Sequence, residues 1–307
     1  MNKIDTLRLK LNELMRDNFI IPERIPQYLY HYTSSLDSVK SIIETGNFWV
    51  SDIFTTTDNN EILHIRNIIK EILIEEYSLK ESKMKYCLDF FDLICELLKK
   101  SVFILCFSVS KNSTHLWDSC ASNGACLRFR FEDINHLVPK DLNDQYRYFA
   151  DQKGNNIKEN IFNINHLVSY DNDYKKDRAL KYLELIYECI KDWPDYDLDE
   201  KQYKNELNLL NDIYTDLFLF SSFTKDHELN IEKEFRQIYL FPDLTKLDPI
   251  LKTRIRENIQ VRYVSINMMS SSTDRVYVPS KNYKDFKKSI KVSLKKIGNK
   301  ANIKEYK

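Results

Sequence analysis

The sequence predicts an α+β fold: a mixed or antiparallel sheet whose strands come early and late in the chain, a helical block between them, and flanking helices. Two observations lead there. Short runs rich in aromatic and β-branched residues, among them YLYHY, VFILCFS, FRQIYLF and IQVRYVSI, have the composition and length of buried strands. Around them lie stretches with apolar residues every three or four positions, the period of an amphipathic helix. No glycine–serine or proline-rich linker divides the 307 residues, so residues 1–307 are expected to form a single domain with a helical insertion at about 172–224.

The chain opens with a helix that places Ile4, Leu7, Leu11, Leu14 and Met15 on one face, and Pro22 and Pro26 end that region. YLYHY, residues 28–32, is a strand by its aromatic content. SSLDSVKSIIETG follows as a helix. Ser34 and Asp37 form its capping box, Leu36, Val39, Ile42 and Ile43 its buried face, and Gly46 its stop. NFWVS returns as a strand, and residues 60–79 and 84–100 are helical by periodicity. VFILCFS is a buried strand. In ACLRFRF, Leu127, Phe129 and Phe131 face one way and Arg128 and Arg130 the other. Helices at 172–192 and 199–220 flank a break at Trp193–Pro194. FRQIYLF, IQVRYVSI and RVYV are strands, and residues 281–297 form a basic helix with Tyr283, Phe286, Ile290, Leu294 and Ile297 on its apolar face.

Composition excludes several classes. Hydrophobic content of 43% and charged content of 30% belong to an ordinary globular protein. No apolar run approaches the roughly 18 residues of a membrane span. The opening MNKIDTLRLKLNELMRDN lacks the apolar stretch of a secretory signal, so a cytoplasmic protein with no membrane partner is expected. Six cysteines in a chain of this length are no disulfide framework, and the spacing of Cys120 and Cys126 is wrong for a zinc knuckle; no metal site is expected. The four glycines, Gly46, Gly124, Gly154 and Gly298, spell neither a dinucleotide-binding fingerprint nor a phosphate loop. Net charge is zero but uneven: from Arg275 onward, Arg275 and ten lysines stand against Asp285 and Glu305, a net +9. Such a tail is a candidate for phosphate contact.

Three stretches could carry chemistry. In NIEKEFRQIYLF, an extended backbone would put Glu232, Glu234 and Arg236 on one face, looking into a solvated cleft; a helical backbone would make Glu232 and Arg236 an (i, i+4) ion pair. In YHYTS, His31 among tyrosines is either a structural histidine or the wall of a pocket. In LCFSVSKNSTHLW, Ser108 follows a buried strand, where its hydroxyl could reach a cleft rim, and Trp117 reads as core.

The ordered set of pieces is similar to the bacterial domain-of-unknown-function family 2971. The matching residues are Leu29 to Ser34, Ile42, Gly46, Trp49, Ser51, Cys106 to Ser108, Leu116 and Trp117, Gly124, Cys126 to Phe129, Val168, Tyr170, and Glu232 to Arg236. They span roughly residues 28–241. The chain departs from that family at Cys120, where an aromatic is usual, and in TTTDNNE, where Asp58 and Glu61 remain but a proline is missing.

The arrangement also resembles the ADP-ribosyltransferase superfamily. There a histidine or arginine opens the first core strand, a serine- or tyrosine-bearing strand follows, and a later strand carries a catalytic glutamate, often as E-x-E. The resemblance implies a split sheet core, NAD bound as substrate without a glycine-rich loop, and catalytic roles for Glu234 and His31. It implies Tyr32, Thr33, Ser108, Trp117, Glu232 and Arg236 as the residues that bind NAD. Glu234 would stabilise the oxocarbenium-like state as the nicotinamide–ribose bond breaks. His31 would hold the ribose, Tyr32 would stack on the nicotinamide, and Glu232 would position the acceptor. A macromolecular acceptor, nucleic acid or protein, a toxin or phage-defence role, and a cognate inhibitor protein are the further expectations. A catalytically silent nucleotide-binding sensor on the same scaffold is the alternative. The two differ in one arrangement: a shared open cleft for Glu234 and His31 favours the enzyme, and a buried ion pair of Glu234 with Arg236 favours the sensor. A nuclease would need a clustered metal site that the sequence does not supply.

Overall fold

The computed structural model describes residues 2–18, 26–55, 61–75, 81–135, 146–150, 156–160, 162–193, 201, 203–241, 247–248, 250–256, 259–267 and 273–306. Pro22, Asp58, Gly154 and Pro194 lie outside them. Contacts divide the chain into two units, each α- or β-dominated. The helical unit takes Met1–Ile20, Thr57–Lys100 and Val168–Glu228; the sheet unit takes Ile21–Thr56, Ser101–Leu167 and Leu229–Lys307. The helical part is thus wider than the expected insertion at about 172–224, since it also recruits the first helix and the pair that follows residue 60. No helix among the described residues is long and apolar enough to cross a membrane.

The helical unit contains α1 (Lys3–Asn18), α3 (Glu61–Glu75), α4 (Glu81–Leu98), α7 (Asn172–Ile190) and α8 (Lys204–Ser221). Leu7, Leu11 and Leu14 bury one stripe of α1, as their spacing dictates. Ala179, Leu183 and Ile186 of α7 and Leu209, Leu210, Ile213 and Leu217 of α8 fill the same core. A polar chain crosses it. Asn18 Nδ2 donates to the Tyr182 hydroxyl at 2.6 Å, and that hydroxyl donates to Asp216 Oδ2 at 2.5 Å.

The sheet unit carries α2 (Leu36–Thr45), the short α5 (Thr114–Ser119) and α6 (Phe131–Asn135), α9 (Tyr283–Lys296) and all the strands. These are β1 (Tyr28–Thr33), β2 (Asn47–Asp52), β3 (Val102–Ser108), β4 (Ala125–Arg130), β5 (Tyr146–Ala150), β6 (Asn156–Asn160), β7 (Phe162–Leu167), β8 (Glu234–Leu240), β9 (Lys252–Arg256), β10 (Ile259–Asn267), β11 (Thr273–Pro279) and β12 (Asn302–Tyr306). They join in one mixed sheet, in which β11 and β12 run parallel and the other pairings are antiparallel. α2 is capped one residue later than its sequence indicates. Ser35, not Ser34, accepts from Ser38 N at 3.1 Å, and Gly46 ends the helix at φ 68°. Val39 and Ile43 of α2 pack with Leu29, Phe103, Phe107, Leu127 and Phe129 on one sheet face, and Ile290 and Leu294 of α9 join them. Gly124 is required by close approach, because a Cβ there would lie 1.7 Å from the Thr33 carbonyl oxygen.

The register opens the sheet at β3. Along one edge β3 pairs with β8 throughout, from Val102↔Leu240 to Ser108↔Glu234. The other edge is divided. β1 meets it at Tyr30↔Ser108, and β2 meets it at Ser51↔Ile104 and Asp52↔Phe103. Leu105, Cys106 and Phe107 fall between the two partners.

A candidate ligand cleft at the split in the sheet

The split forms a cleft of about 560 Å³ within the sheet unit, a size suited to a small molecule. His31, Tyr32 and Thr33 of β1 line one wall, and Ser34, Ser38 and Ser41 of α2 and its N-terminal approach continue it. Asn47, Trp49 and Ser51 of β2 and Arg254 of β9 form the opposite wall, and Ile104, Leu105 and Cys106 of β3 lie along the gap.

His31 closes the gap in the ladder. Its Nδ1 lies 3.0 Å from the Cys106 carbonyl oxygen, which can only accept, so Nδ1 carries the hydrogen and Nε2 is left as an acceptor. The ring stands edge-on to Phe48 and Phe107 at 5.2 and 5.6 Å. Burial pushes its pKa down to about 4, and the nearby Arg254 charge acts the same way against the opposing pull of the Cys106 bond. The imidazole is therefore neutral at pH 7.

Arg254 supplies the positive charge of the cleft. Its guanidinium lies 4.9 Å from the Trp49 ring centre and 5.6 Å from that of Tyr263, and Nη2 donates to Ser51 Oγ at 3.3 Å. Trp49 is 40% exposed, unusual for so large a ring, and packs on Tyr263 at 4.9 Å. Buried Asn47 Oδ1 meets no hydrogen-bond donor among the described residues. No carboxylate is among the described residues that line the cleft.

The structure distributes the expected site residues differently from the sequence expectation. Directly opposed residues of a ladder share a face, so Tyr30, Ser108 and Glu234 form one row across β1, β3 and β8. His31, one position from Tyr30, points to the other face, beside Phe107. The expected meeting of His31 with Glu234 does not occur. Glu234 is 5% exposed and is held in a two-pronged ion pair by Arg236, Nε to Oε1 at 2.8 Å and Nη2 to Oε2 at 3.1 Å. Nor do Glu232, Glu234 and Arg236 share one open face. Glu232 ends a 3₁₀ turn, His227–Glu232, and Lys233 at φ 46° breaks the extended run before β8 begins. The Glu232 carboxylate sits 3.3 Å from His115 Nε2.

Ser108 is also corrected. Its hydroxyl is buried, donates to the Glu232 carbonyl oxygen at 2.6 Å and accepts from Ser110 N at 3.0 Å, so it ties the β3 end to the turn before β8 rather than reaching a rim. Trp117 is packed: it stacks on Tyr306 at 4.2 Å and 16°, and its indole N–H donates to the Lys111 carbonyl oxygen. Tyr32 lines the cleft with its ring edge-on to Trp117 and its hydroxyl donating to the Ser110 carbonyl oxygen at 2.8 Å. Thr33 lines it too, but its hydroxyl is spent on the Ala125 carbonyl oxygen at 3.0 Å.

Trp49, Arg254 and Asn47 are the site residues that sequence inspection did not assign. The one local signal was Trp49 in FWVS, a large ring on a strand whose neighbours Phe48 and Val50 already supply the core. Arg254 comes from a strand with no apolar alternation. No known protein family, curated protein or solved structure matches the chain.

Proposed function

We propose that the cleft binds a nucleotide of the ADP-ribose class, NAD included, and that the chain acts as a binding module on an ADP-ribosyltransferase-like scaffold. The observation that carries this is the Arg254 guanidinium held over the exposed Trp49 in a cleft lined by no described carboxylate. A diphosphate needs a fixed cation, and a base needs a ring to stack on. Neutral His31 Nε2 and the Asn47 carbonyl oxygen are acceptors for ribose hydroxyls, and the serines of α2 offer both roles. Cleavage of the nicotinamide–ribose bond would need a carboxylate beside the ribose, and the position of Glu234, buried against Arg236, supports binding over turnover.

Transfer of ADP-ribose to a nucleic-acid or protein acceptor is the second interpretation. It is favoured by one fact: Ser108 and Glu234, two positions to which the resemblance gives roles, stand opposite each other on adjacent strands. A toxin or defence role and a cognate inhibitor belong with this interpretation alone.

Calorimetric titration with ADP-ribose and NAD tests the first. Binding is expected, with affinity at least tenfold lower in Arg254→Gln and Trp49→Ala, and bound ligand should slow alkylation of Cys120, which lines the cleft. No binding of either compound at millimolar concentration would sink it. Nicotinamide release in the presence of protein, RNA and DNA, abolished by Glu234→Gln, would replace it with the second.

A further inference from the structure

Independently of what the cleft holds, we propose that the outer face of α9 is a docking surface for the phosphate backbone of duplex nucleic acid. The helix carries six lysines, and the structure sorts them into two sets. Lys287 folds onto Tyr283, with Nζ donating to the hydroxyl at 2.9 Å, and Lys296 donates to Glu44 Oε2 of α2 at 2.6 Å. Glu44 also accepts from Ser293 Oγ at 2.6 Å, so one carboxylate anchors the inner side of α9 to α2. Lys284, Lys288, Lys291 and Lys295 are all exposed and are engaged by no ion pair or hydrogen bond among the described residues.

Their spacing makes them a single stripe. Steps of four, three and four residues, at about 100° per residue, keep all four within roughly 60° of one another around the helix and string them over about 16 Å of its length. The stripe points away from buried Ile290, Ser293 and Leu294. Four like charges held this close repel one another, a cost that a bound polyanion would relieve.

The rest of the face says which polyanion. A bilayer-binding helix presents bulky apolar residues to insert, whereas the one exposed hydrophobic here is Val292, at 66%. A single-strand binder presents aromatic platforms, and Tyr283 and Phe286 are turned toward the core. A straight row of flexible cations with neither feature suits sequence-independent contact with the phosphates of a duplex.

The test is fluorescence anisotropy with a labelled random-sequence DNA duplex and its RNA counterpart, over a salt series. Four phosphate contacts predict a slope of log affinity against log salt between about −3 and −4 for DNA. Changing all four lysines of the stripe to Gln should weaken binding at least tenfold. Changing exposed Lys10, Lys70, Lys85 and Lys201 to Gln alters net charge equally and should leave it within twofold. Circular dichroism of both variants checks folding. Equal loss in both variants, a slope near zero, no duplex binding at low salt, or binding to phosphatidylserine vesicles in place of duplex would each overturn the proposal. DNA binding without RNA binding, or the reverse, would support it and name the source of the phosphates.

Discussion

Glu234 in the sheet unit and Asp216 in the helical unit are both buried carboxylates, at 5% and 2% exposure, and their surroundings treat the charge in opposite ways. Glu234 faces a guanidinium that matches it in charge and fork geometry. Asp216 faces the Tyr182 hydroxyl, which in turn accepts from Asn18, and its Oδ1 has no hydrogen-bond partner among the described residues. Burial pushes its pKa up to about 7, against the opposing effect of the Tyr182 bond. One acid is a fixed part of an ion pair; the other titrates near neutrality. Burial alone therefore does not identify a reactive carboxylate. The partner decides.

The sharpest way to break this contrast is Glu234→Ala, which takes the carboxylate away from the buried Arg236 guanidinium and should cost about 3–5 kcal/mol in urea unfolding. A loss below about 1 kcal/mol would mean that the pair is not structural and would return Glu234 to the catalytic candidates. Asp216 comes next. Between pH 4 and 7 the folded state keeps a proton that the unfolded chain has released, so stability falls as pH rises through that window, by up to about 4 kcal/mol. Asp216→Asn should flatten that slope and exceed the wild type in stability at pH 8. An unchanged slope in the variant would show that the titrating group lies elsewhere.

His31 gives the mirror image. Its pKa falls from 6.5 to about 4, so the unfolded chain binds the extra proton and stability drops as pH falls from 6.5 toward 4, by up to about 3 kcal/mol. His31→Gln keeps a donor for the Cys106 carbonyl oxygen and should remove this acid limb, and the ring proton shifts of the wild type should titrate near pH 4. The smallest effect belongs to Trp49→Ala. With 40% of the residue exposed, the lost contacts with Tyr263 and Arg254 should lower unfolding free energy by only about 1–2 kcal/mol while ligand affinity falls at least tenfold, separating a binding residue from a core one.

Much of the fold was legible because burial writes itself into composition. VFILCFS and FRQIYLF became β3 and β8 with almost the expected ends, and Gly46 stopped α2 as expected. Strands β6 and β12, NIKEN and NIKEY, carry too few apolar residues to announce themselves; they are strands because neighbours offer an edge. The site was less legible, for two reasons. Periodicity gives alternation but not register, and a single step of register decides whether Tyr30 or His31 shares a face with Ser108. Local backbone also matters: Lys233 in the left-handed region puts Glu232 out of phase with Glu234, and nothing in EKE signals it. What composition did convey was the absence of a glycine-rich cradle, consistent with a cleft built from strand edges and side chains.

The divided edge of β3 has a consequence for how the molecule assembles. His31 reaches Cys106 across 75 positions of chain, and Ser108 reaches the Glu232 carbonyl across 124. This strand must collect partners from both far sides of the sequence, so its loops close late and at a high entropic cost. The α7–α8 pairing, by contrast, is local and has no such search to make. During synthesis β3 emerges long before β8 exists, a hydrophobic strand with one permanent partner still to come. The expected result is a slow refolding phase that reports on the sheet, preceded by a fast helical one, and a tendency to aggregate in the interval between them.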